Sequence, residues 1–476
     1  MLIDELLTTL PPEWPSDLLP EIQQQVAAAG TKVVVLDDDP TGTQTVHDVA
    51  VLTDWSVDSL QEALRDPAPV VYVLTNSRSL STRAAVARTQ EIAQHLVAAS
   101  QSMGRPFVVD SRSDSTLRGH YPAETDALAE VLGPFDGLLL VPFFREGGRL
   151  TIRDVHYVLE GDRAVPAADT EFARDAAFGY RHSNLRDWVE EKTAGRVPSS
   201  EVRSVSLAML RQGGPEAVAA ALEELSAGQP CVVNAVSYRD LEVLVAGLLR
   251  AEAHGKRLLY RTAASFVRVR GGITPAPLLR SRDLPRGTDR AGGLVVVGSY
   301  VAKTTAQLEA ALAMPEVVGL EAAVPRLLDG ATREAEIARL SATVDESLMA
   351  GRDTIVYTSR ALASTTTGAS DPLAIGAQVS DALVSIVQRL RVAPAWLIAK
   401  GGITSSDVAT RGLGVRRAWV LGQAIAGIPV WQTGPESRWP GLTYVVFPGN
   451  VGGPGALAEM MAILREARQP TQGTDA

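Results

Sequence analysis

The most constraining feature of this sequence is the alternation of short apolar runs with longer helical patterns. Such runs occur at "KVVVLD" (32–37), "PVVYVLT" (69–75), "PFVVDS" (106–111) and "GLLLVP" (137–142). Strands that are apolar on both faces are typical of parallel sheets covered by helices. Residues 81–103 begin with a serine, carry apolar residues at helical spacing and stop at Gly104, as a helix does. This alternation predicts an α/β fold.

The same pattern restarts in the second half of the chain. Further apolar runs occur at "GLVVVGS" (293–299), "DTIVYTS" (353–359), "AWLIAKGG" (395–402), "AWVL" (418–421) and "YVVFPG" (444–449). The segment 281–293 between the halves is polar and contains proline and glycine, which is typical of a linker. We therefore predict two α/β domains, residues 1–285 and 286–476, each a largely parallel sheet flanked by helices, with the active site in the cleft between them.

Charge and composition limit the partners of the protein. The net charge of −10 works against nonspecific binding of nucleic acid or of an anionic membrane, since both need a basic face. The single cysteine, Cys231, lies in an apolar stretch and is expected to be a buried thiol. The first residues are acidic where a signal peptide would be basic, and no apolar run approaches the roughly 18 residues of a membrane span. We expect a cytoplasmic protein that binds neither nucleic acid nor membranes, and a homo-oligomer remains open.

Three aspartates, Asp37, Asp38 and Asp39, follow the first apolar run. Ligands of open α/β sheets bind beyond the carboxyl ends of the strands. Asp38 and Asp39 offer carboxylates for a proton or a metal, and Thr41 and Gly42 add a hydroxyl and a backbone that a ligand can approach closely. One alternative is a solvated turn in which an aspartate caps a helix. Another is a phosphatase of the haloacid dehalogenase type, in which Asp37 would be the nucleophile.

Two more predicted strands end in polar segments, "NSRSLSTR" (76–83) and "SRSDSTLRGHYPAET" (111–125). The side chains that they bring toward the same sheet edge are Arg78, Arg112, Asp114, Ser115, Thr116 and Arg118. Guanidinium groups match carboxylate or phosphate, and hydroxyl side chains suit a sugar-like molecule. A single arginine is more often part of a surface ion pair, so the clustering carries the prediction of an anion site. His156 is left out, because a lone histidine more often packs or forms structural hydrogen bonds.

The second half contains three glycine-rich turns after predicted strands, at 298–304, 400–406 and 448–455. Such turns aim backbone amides and helix N-termini at phosphates. Ala302 stands where a P-loop needs glycine before its lysine, so a P-loop is not predicted. Three turns of this kind in one domain nevertheless favour nucleotide binding.

Together these motifs resemble the four-carbon acid sugar kinase family. The matching segments are "DDDPTGT", "TNSRS", "DSTLRG", "VPFFREGGRLTIRDVHYV" and "TEFARD" in the first half, and "GSYVAKTTAQ", "KGGITSSDVA" and "PGNVGGPG" in the second. The resemblance implies an N-terminal domain that holds a threonate, an erythronate or an oxo-tetronate, and a C-terminal domain that binds ATP with Mg²⁺. It also implies phosphorylation of the terminal hydroxyl of the sugar acid.

Carried over motif by motif, the resemblance also implies roles for individual residues. The catalytic candidates are Asp38, Asp39 and Asp114; the substrate-binding candidates are Arg78, Ser115 and Arg118; and the nucleotide-binding candidates are Ser299, Gly401, Gly402, Ile403, Thr404 and Gly449. The general base is not assigned among the aspartates, and the protein ligands of the metal are unknown. The chain departs from the usual family motifs at Asp37, Thr43, Arg112 and Ile403, which leaves the particular sugar acid open. A noncatalytic sensor of sugar acids or nucleotides is a further alternative.

Overall fold

The structure is a computed structural model that describes residues 2–285, 291–299, 301–360 and 372–468. The chain divides into two compact units, Met1–Pro275 and Ala276–Ala476. The predicted boundary between residues 285 and 286 adjoins a segment outside the described residues and stays a prediction. No helix in the described part of the chain is long and apolar enough to cross a membrane.

The first unit consists of nine helices and eleven strands in its described residues. Its helices are α1 (Ile3–Leu7), α2 (Leu19–Ala29), α3 (Val57–Arg65), α4 (Thr82–Met103), α5 (Ala123–Leu132), α6 (Leu185–Lys192), α7 (Gly214–Glu223), α8 (Tyr238–Ala253) and α9 (Ala264–Arg270). Its strands are β1 (Lys32–Asp37), β2 (Val49–Leu52), β3 (Val70–Leu74), β4 (Phe107–Arg112), β5 (Gly137–Val141), β6 (Arg149–Ile152), β7 (Val155–Glu160), β8 (Arg163–Pro166), β9 (Arg203–Val205), β10 (Gln229–Val233) and β11 (Leu258–Thr262).

The main sheet of the first unit is parallel throughout. Its strand order is β2-β3-β1-β4-β11-β5-β10-β9. Every residue of β1 is buried, because the strand lies inside the sheet and helices cover both faces. The four strands predicted in this half are confirmed as β1, β3, β4 and β5. Cys231 on β10 is buried as expected, and burial raises the pKa of its thiol to about 12.

Helix α4 confirms the predicted helix, including both of its ends. The hydroxyl of Ser81 accepts a hydrogen bond from the amide of Ala84 at 3.4 Å, which caps the first turn. Gly104 closes the helix with φ of 63°, a left-handed conformation that glycine adopts without steric cost. The local signals at 81–104 were therefore sufficient to place this helix.

A second, three-stranded antiparallel sheet, β6-β7-β8, was not predicted. Its strands have only four to six residues each, and tight turns join them. The sequence of this region is rich in charge and turn residues, so it lacks the continuous apolar runs that mark the parallel strands. The small sheet carries His156 on β7.

The second unit repeats the α/β pattern. Its helices are α10 (Ala302–Leu312), α11 (Val324–Leu328), α12 (Arg333–Met349), α13 (Pro372–Arg389), α14 (Gly402–Asp407) and α15 (Ala456–Arg468). Its strands are β12 (Leu294–Val297), β13 (Val317–Ala322), β14 (Asp353–Thr358), β15 (Trp396–Lys400), β16 (Arg417–Ile425), β17 (Ile428–Thr433) and β18 (Thr443–Phe447).

The sheet of the second unit is parallel except at one end. Its order is β13-β14-β12-β15-β18-β17-β16, and β17 alone among these strands is reversed, so that it pairs antiparallel with both β18 and β16. The five strands predicted in this half are confirmed, with "AWVL" inside β16. The hairpin that β16 and β17 form was not predicted. Both units are therefore α/β, with largely parallel sheets flanked by helices.

Candidate active site

The sheet order of the first unit brings three polar strand ends together. Strand β1 lies between β3 and β4, so the aspartates after β1 adjoin Arg78 on one side and the segment 112–118 on the other. The amide of Asp38 donates to the carbonyl of Arg112 at 3.3 Å, and the amide of Thr75 donates to the carbonyl of Asp37 at 2.8 Å. The strand order therefore brings the carboxyl ends of β3, β1 and β4 together, as the sequence predicted.

Asp38 is held by three hydrogen bonds. Arg78 donates two hydrogen bonds to its carboxylate, from Nη2 to Oδ1 at 2.6 Å and from Nε to Oδ2 at 3.2 Å. The hydroxyl of Ser113 donates to Oδ2 at 2.7 Å. A paired fork of this kind fixes both direction and charge. Both oxygens of Asp38 are therefore engaged in a rigid, buried arrangement.

Asp39 caps a short 3₁₀ turn, Pro40–Thr43. Its Oδ1 accepts from the amide of Thr41 at 2.9 Å and from the hydroxyl of Thr41 at 2.6 Å. Its Oδ2 lies 3.7 Å from Nη1 of Arg78, and the side chain remains 19% exposed. Burial works to raise the pKa of Asp39, but the charge of Arg78 and the bonds from Thr41 outweigh it and hold that pKa below its usual value. Asp39 is thus an ionised, accessible carboxylate.

Asp37 is enclosed. Its Oδ1 accepts from Nη1 of Arg112 at 2.9 Å, and both side chains are buried. Burial raises the pKa of Asp37 to about 7, against the opposing charge of Arg112. A Cβ atom on Gly42 would lie 2.1 Å from Oδ2 of Asp37, so the turn closes directly over the carboxylate. This geometry argues against the phosphatase alternative, because a nucleophile must reach the phosphorus atom.

Asp114 and Arg118 form a second charged pair. Nε of Arg118 donates to Oδ2 of Asp114 at 2.6 Å, and the hydroxyl of Thr116 donates to the same carboxylate. The guanidinium of Arg118 also lies 5.2 Å from the ring centre of Phe172 and 3.6 Å from a carboxylate oxygen of Asp175. Burial raises the pKa of Asp114, but the charges of Arg118 and Arg78 outweigh it and hold that pKa well below its usual range.

His156, excluded from the site on sequence, supports the loop that carries the charged pair. Its Nε2 lies 2.7 Å from the carbonyl oxygen of Ser115, and its Nδ1 lies 2.9 Å from Oγ1 of Thr151. A carbonyl only accepts, so Nε2 carries the hydrogen and Nδ1 accepts from the Thr151 hydroxyl. Ser115 itself is buried. Sequence reasoning gave no signal for this contact, because β7 was not predicted.

Arg261 is a second residue that the sequence did not single out. It lies on β11, which follows β4 in the sheet order, and its side chain is buried. Its guanidinium stacks over Tyr121 at 5.3 Å from the ring centre, and Nη2 donates to the carbonyl of Arg118 at 3.4 Å. The sequence signal that could have indicated Arg261 is an arginine at the end of an apolar run, "LLYRT" (258–262). It adds a fourth guanidinium to those of Arg78, Arg112 and Arg118.

The second unit assembles the glycine-rich turns in the same way. Strands β12, β15 and β18 are neighbours, and they lead directly into the turns of Ser299, Gly401 and Gly449. Oγ1 of Thr304 lies 2.9 Å from the carbonyl of Gly449 and 3.1 Å from Oγ of Ser299. A hydroxyl has one hydrogen, so Thr304 donates to the carbonyl and accepts from Ser299. Two of the three turns are thereby tied together.

The backbone conformation at position 401 requires a glycine. Its φ of 116° is a conformation that other residues rarely adopt, and a Cβ there would lie 3.2 Å from Cβ of Ser299. Helix α14 begins at the next residue, Gly402, with Ile403 exposed and Thr404 buried against the turn of Ser299. The predicted nucleotide residues therefore lie together, and their contacts with a nucleotide stay predictions.

No group of three or more histidine, cysteine, aspartate or glutamate side chains in the described ranges is arranged to hold a metal ion.

Comparison with known proteins matches the two halves of the chain to two different family models. A model of a sugar-binding N-terminal domain matches residues 33–270, and a model of a nucleotide-binding C-terminal domain matches residues 294–457. D-erythronate kinase of Heliobacterium modesticaldum is 27% identical over 330 residues, which span 67% of this chain and 69% of that protein. D-threonate kinase of Bordetella bronchiseptica is 29% identical over 191 residues, 38% of this chain and 45% of that protein.

Two crystal structures share the fold. A protein of Salmonella typhimurium LT2 has a TM-score of 0.65 at 18% identity, covering 90% of this chain and 98% of its own. A protein of Haemophilus influenzae has a TM-score of 0.58 at 17% identity, covering 90% of this chain and all of its own, 100%. The matched domains and the kinase relatives define a sugar-acid kinase of two α/β units. The chain belongs to the four-carbon acid sugar kinase family.

Proposed function

We propose that this protein uses ATP to phosphorylate the terminal hydroxyl of a four-carbon sugar acid of the threonate, erythronate or oxo-tetronate type. The observation that carries the proposal is the cluster of Asp38, Asp39 and Arg78 at one sheet edge of the matched sugar-binding domain. The relatives named for erythronate and threonate support the substrate class. The acidic chain with its one buried cysteine supports a cytoplasmic location.

Arginines explain how an acidic protein binds an anionic substrate. We assign the substrate carboxylate to Arg78 and Arg118, whose planar forks match it. Both are already paired with aspartates, so their positions are fixed before the ligand arrives. Ser115, on the loop after β4 that also carries Arg118, belongs to the same proposed subsite.

We assign Asp39 as the group that accepts the proton of the acceptor hydroxyl. Phosphoryl transfer requires an oriented hydroxyl, a receiver for one proton and neutralisation of developing charge. Both oxygens of Asp38 are occupied by Arg78 and Ser113, which suits a residue that fixes the site. Asp39 keeps Oδ2 free of hydrogen bonds shorter than 3.5 Å in the described structure and is the more exposed carboxylate. Asp114, bound to Arg118 and Thr116, serves to hold Arg118.

Mg²⁺ that accompanies ATP supplies charge neutralisation on the phosphates. Because the three aspartates at the end of β1 and just after it are engaged by arginines or by the backbone, we assign no protein ligand to this ion.

A panel assay tests the proposal. Purified protein is incubated with ATP, Mg²⁺ and each four-carbon sugar acid, and the phosphorylated acid is detected by mass spectrometry. We expect ATP consumption only with an acceptor. Release of phosphate from sugar phosphates without ATP would indicate a phosphatase, and binding without turnover would indicate a sensor.

The variant Arg118→Ala tests the assigned role of the arginines. Loss of a charged contact in the transition state costs about 2 to 4 kcal/mol, so kcat/KM should fall by roughly 30-fold to 1000-fold. Arg196→Ala is the matched control, because Arg196 is exposed and its one ion pair among the described residues is with Asp126. A change below about threefold in Arg118→Ala would remove Arg118 from the substrate site.

A further inference from the structure

Three cationic side chains that sequence reasoning did not select lie at the glycine-rich edge of the second sheet. Lys303 is on α10, Arg360 follows β14 and Lys400 ends β15. Each donates to a main-chain carbonyl of the predicted nucleotide turns. The pairs are Lys303 Nζ with Asn450 O at 3.1 Å, Arg360 Nη1 with Ser299 O at 2.8 Å, and Lys400 Nζ with Pro448 O at 2.9 Å.

Oxygens of the main chain and of a hydroxyl group hold these three cations in the described residues. In the part of the chain that the structure describes, none of the three forms an ion pair, and each is held by carbonyl or hydroxyl oxygens. Glu309 on α10 raises the pKa of Arg360 from a distance, less than burial lowers it. Burial together with repulsion from Lys303 and Arg360 lowers the pKa of Lys400 to about 7. The cations are therefore close enough to disfavour one another.

Like charges gathered without counter-ions raise the free energy of a folded protein, and a bound polyanion lowers it again. The three carbonyls belong to the turns after β12 and β18, which are also tied through Thr304. Lys303 is exposed, and its one hydrogen bond among the described residues is to the carbonyl of Asn450, so it can leave that carbonyl for a phosphate at small cost. Arg360 and Lys400 are more enclosed; Lys400 is fully buried and lies 3.9 Å from the ring centre of Phe447.

We propose that Lys303 contacts the terminal phosphates of a nucleoside triphosphate, and that Arg360 and Lys400 are positioning residues that hold the phosphate-binding turns. This inference rests on the proposed function, since it takes the second unit as the nucleotide site. Lys303 acts as a mobile point charge, which suits a ligand whose charge grows with each phosphate. The other two act through the carbonyls of Ser299 and Pro448.

Calorimetric titration with AMP, ADP and ATP in the presence of Mg²⁺ tests the role of Lys303. In Lys303→Ala we expect the Kd for ATP to rise by about tenfold or more, and the Kd for AMP by less than about threefold. Lys303→Arg should recover most of the ATP affinity because it keeps the charge. Equal losses for AMP and ATP, or no loss for ATP, would overturn the assignment.

Arg391→Ala is the matched control. Arg391 is an exposed cation of the same unit, but it lies on the segment that enters β15, at the opposite end of the strand from Lys400. Its removal also deletes one positive charge, and all three nucleotides should bind within about twofold of wild type. An ATP-specific loss in this control as large as that in Lys303→Ala would show a long-range charge effect and overturn the contact.

Lys400→Met tests the positioning role separately. Because Lys400 acts on the turns rather than on one phosphate, ADP and ATP should lose affinity by a similar factor of about tenfold. Circular dichroism establishes that the variant is folded, and unchanged affinity in folded protein would refute the role. If wild type binds no nucleotide, the proposed function itself fails; if wild type binds and Lys303→Ala binds equally well, only this inference fails.

Discussion

The variant His156→Gln tests whether a buried neutral histidine supports the loop of Ser115. The glutamine amide can still donate to the Ser115 carbonyl, but it cannot take up a proton. In wild type, His156 is fully buried and bonded to Ser115 and Thr151. Burial, and repulsion from Arg149, lower the pKa of His156 from 6.5 to about 4. The imidazole should therefore stay neutral in the folded protein at mildly acidic pH.

The sign and size of the effect follow from proton linkage. Between pH 6.5 and 4 the unfolded chain binds a proton at His156 and the folded protein does not, so acid favours unfolding there. At pH 5 this difference lowers the free energy of unfolding of wild type by about 2 kcal/mol relative to pH 7.5. His156→Gln lacks this contribution. The free energy of unfolding of the variant, relative to that of wild type, should therefore rise by about 2 kcal/mol as the pH falls from 7.5 to 5.

Hydrogen exchange during denaturant titration is the suitable assay. A protein of two compact units need not unfold in a single step, so peptides from β6 and β7 should be followed rather than a global signal. His254→Gln is the control, because His254 is an exposed histidine paired with Glu223 on the surface. His254→Gln should change the free energy of unfolding by less than about 1 kcal/mol at either pH. Wild-type and His156→Gln curves that remain parallel from pH 7.5 to 5 would refute a neutral, structural His156.

Two further predictions concern the enclosed carboxylate of Asp37. Gly42→Ala should lower the free energy of unfolding by about 1 to 3 kcal/mol, because the new Cβ would lie 2.1 Å from Oδ2 of Asp37; an unchanged unfolding midpoint would contradict this close approach. Arg112→Met should lower the free energy of unfolding by about 3 to 5 kcal/mol at pH 8, because it leaves Asp37 buried without its partner. Adding Asp37→Asn to this variant should recover part of that loss. Additive effects in this double-mutant cycle would show that the two side chains are not coupled.

Local patterns in the sequence were sufficient for the class of fold. Strands such as β1 and β18 are buried on both faces, so their apolar runs could be recognised without knowing their neighbours. Helix α4 carried its own cap and stop signals. The elements that were missed, such as β7 and β17, pair in antiparallel hairpins whose residues are only partly apolar. Their stability comes from pairing, which a local pattern does not record.

The sequence by itself determined the polar strand ends, the glycine-rich turns and the family motifs. Only the tertiary structure decided which of these groups touch. Asp38 meets Arg78 across 40 residues of chain, and Thr304 meets Gly449 across 145, because the order of strands in each sheet sets those distances. The roles of His156 and Lys400 likewise depend on what surrounds a buried polar atom. Burial and hydrogen-bond partners arise from packing between distant segments, and therefore no short stretch of sequence contains them.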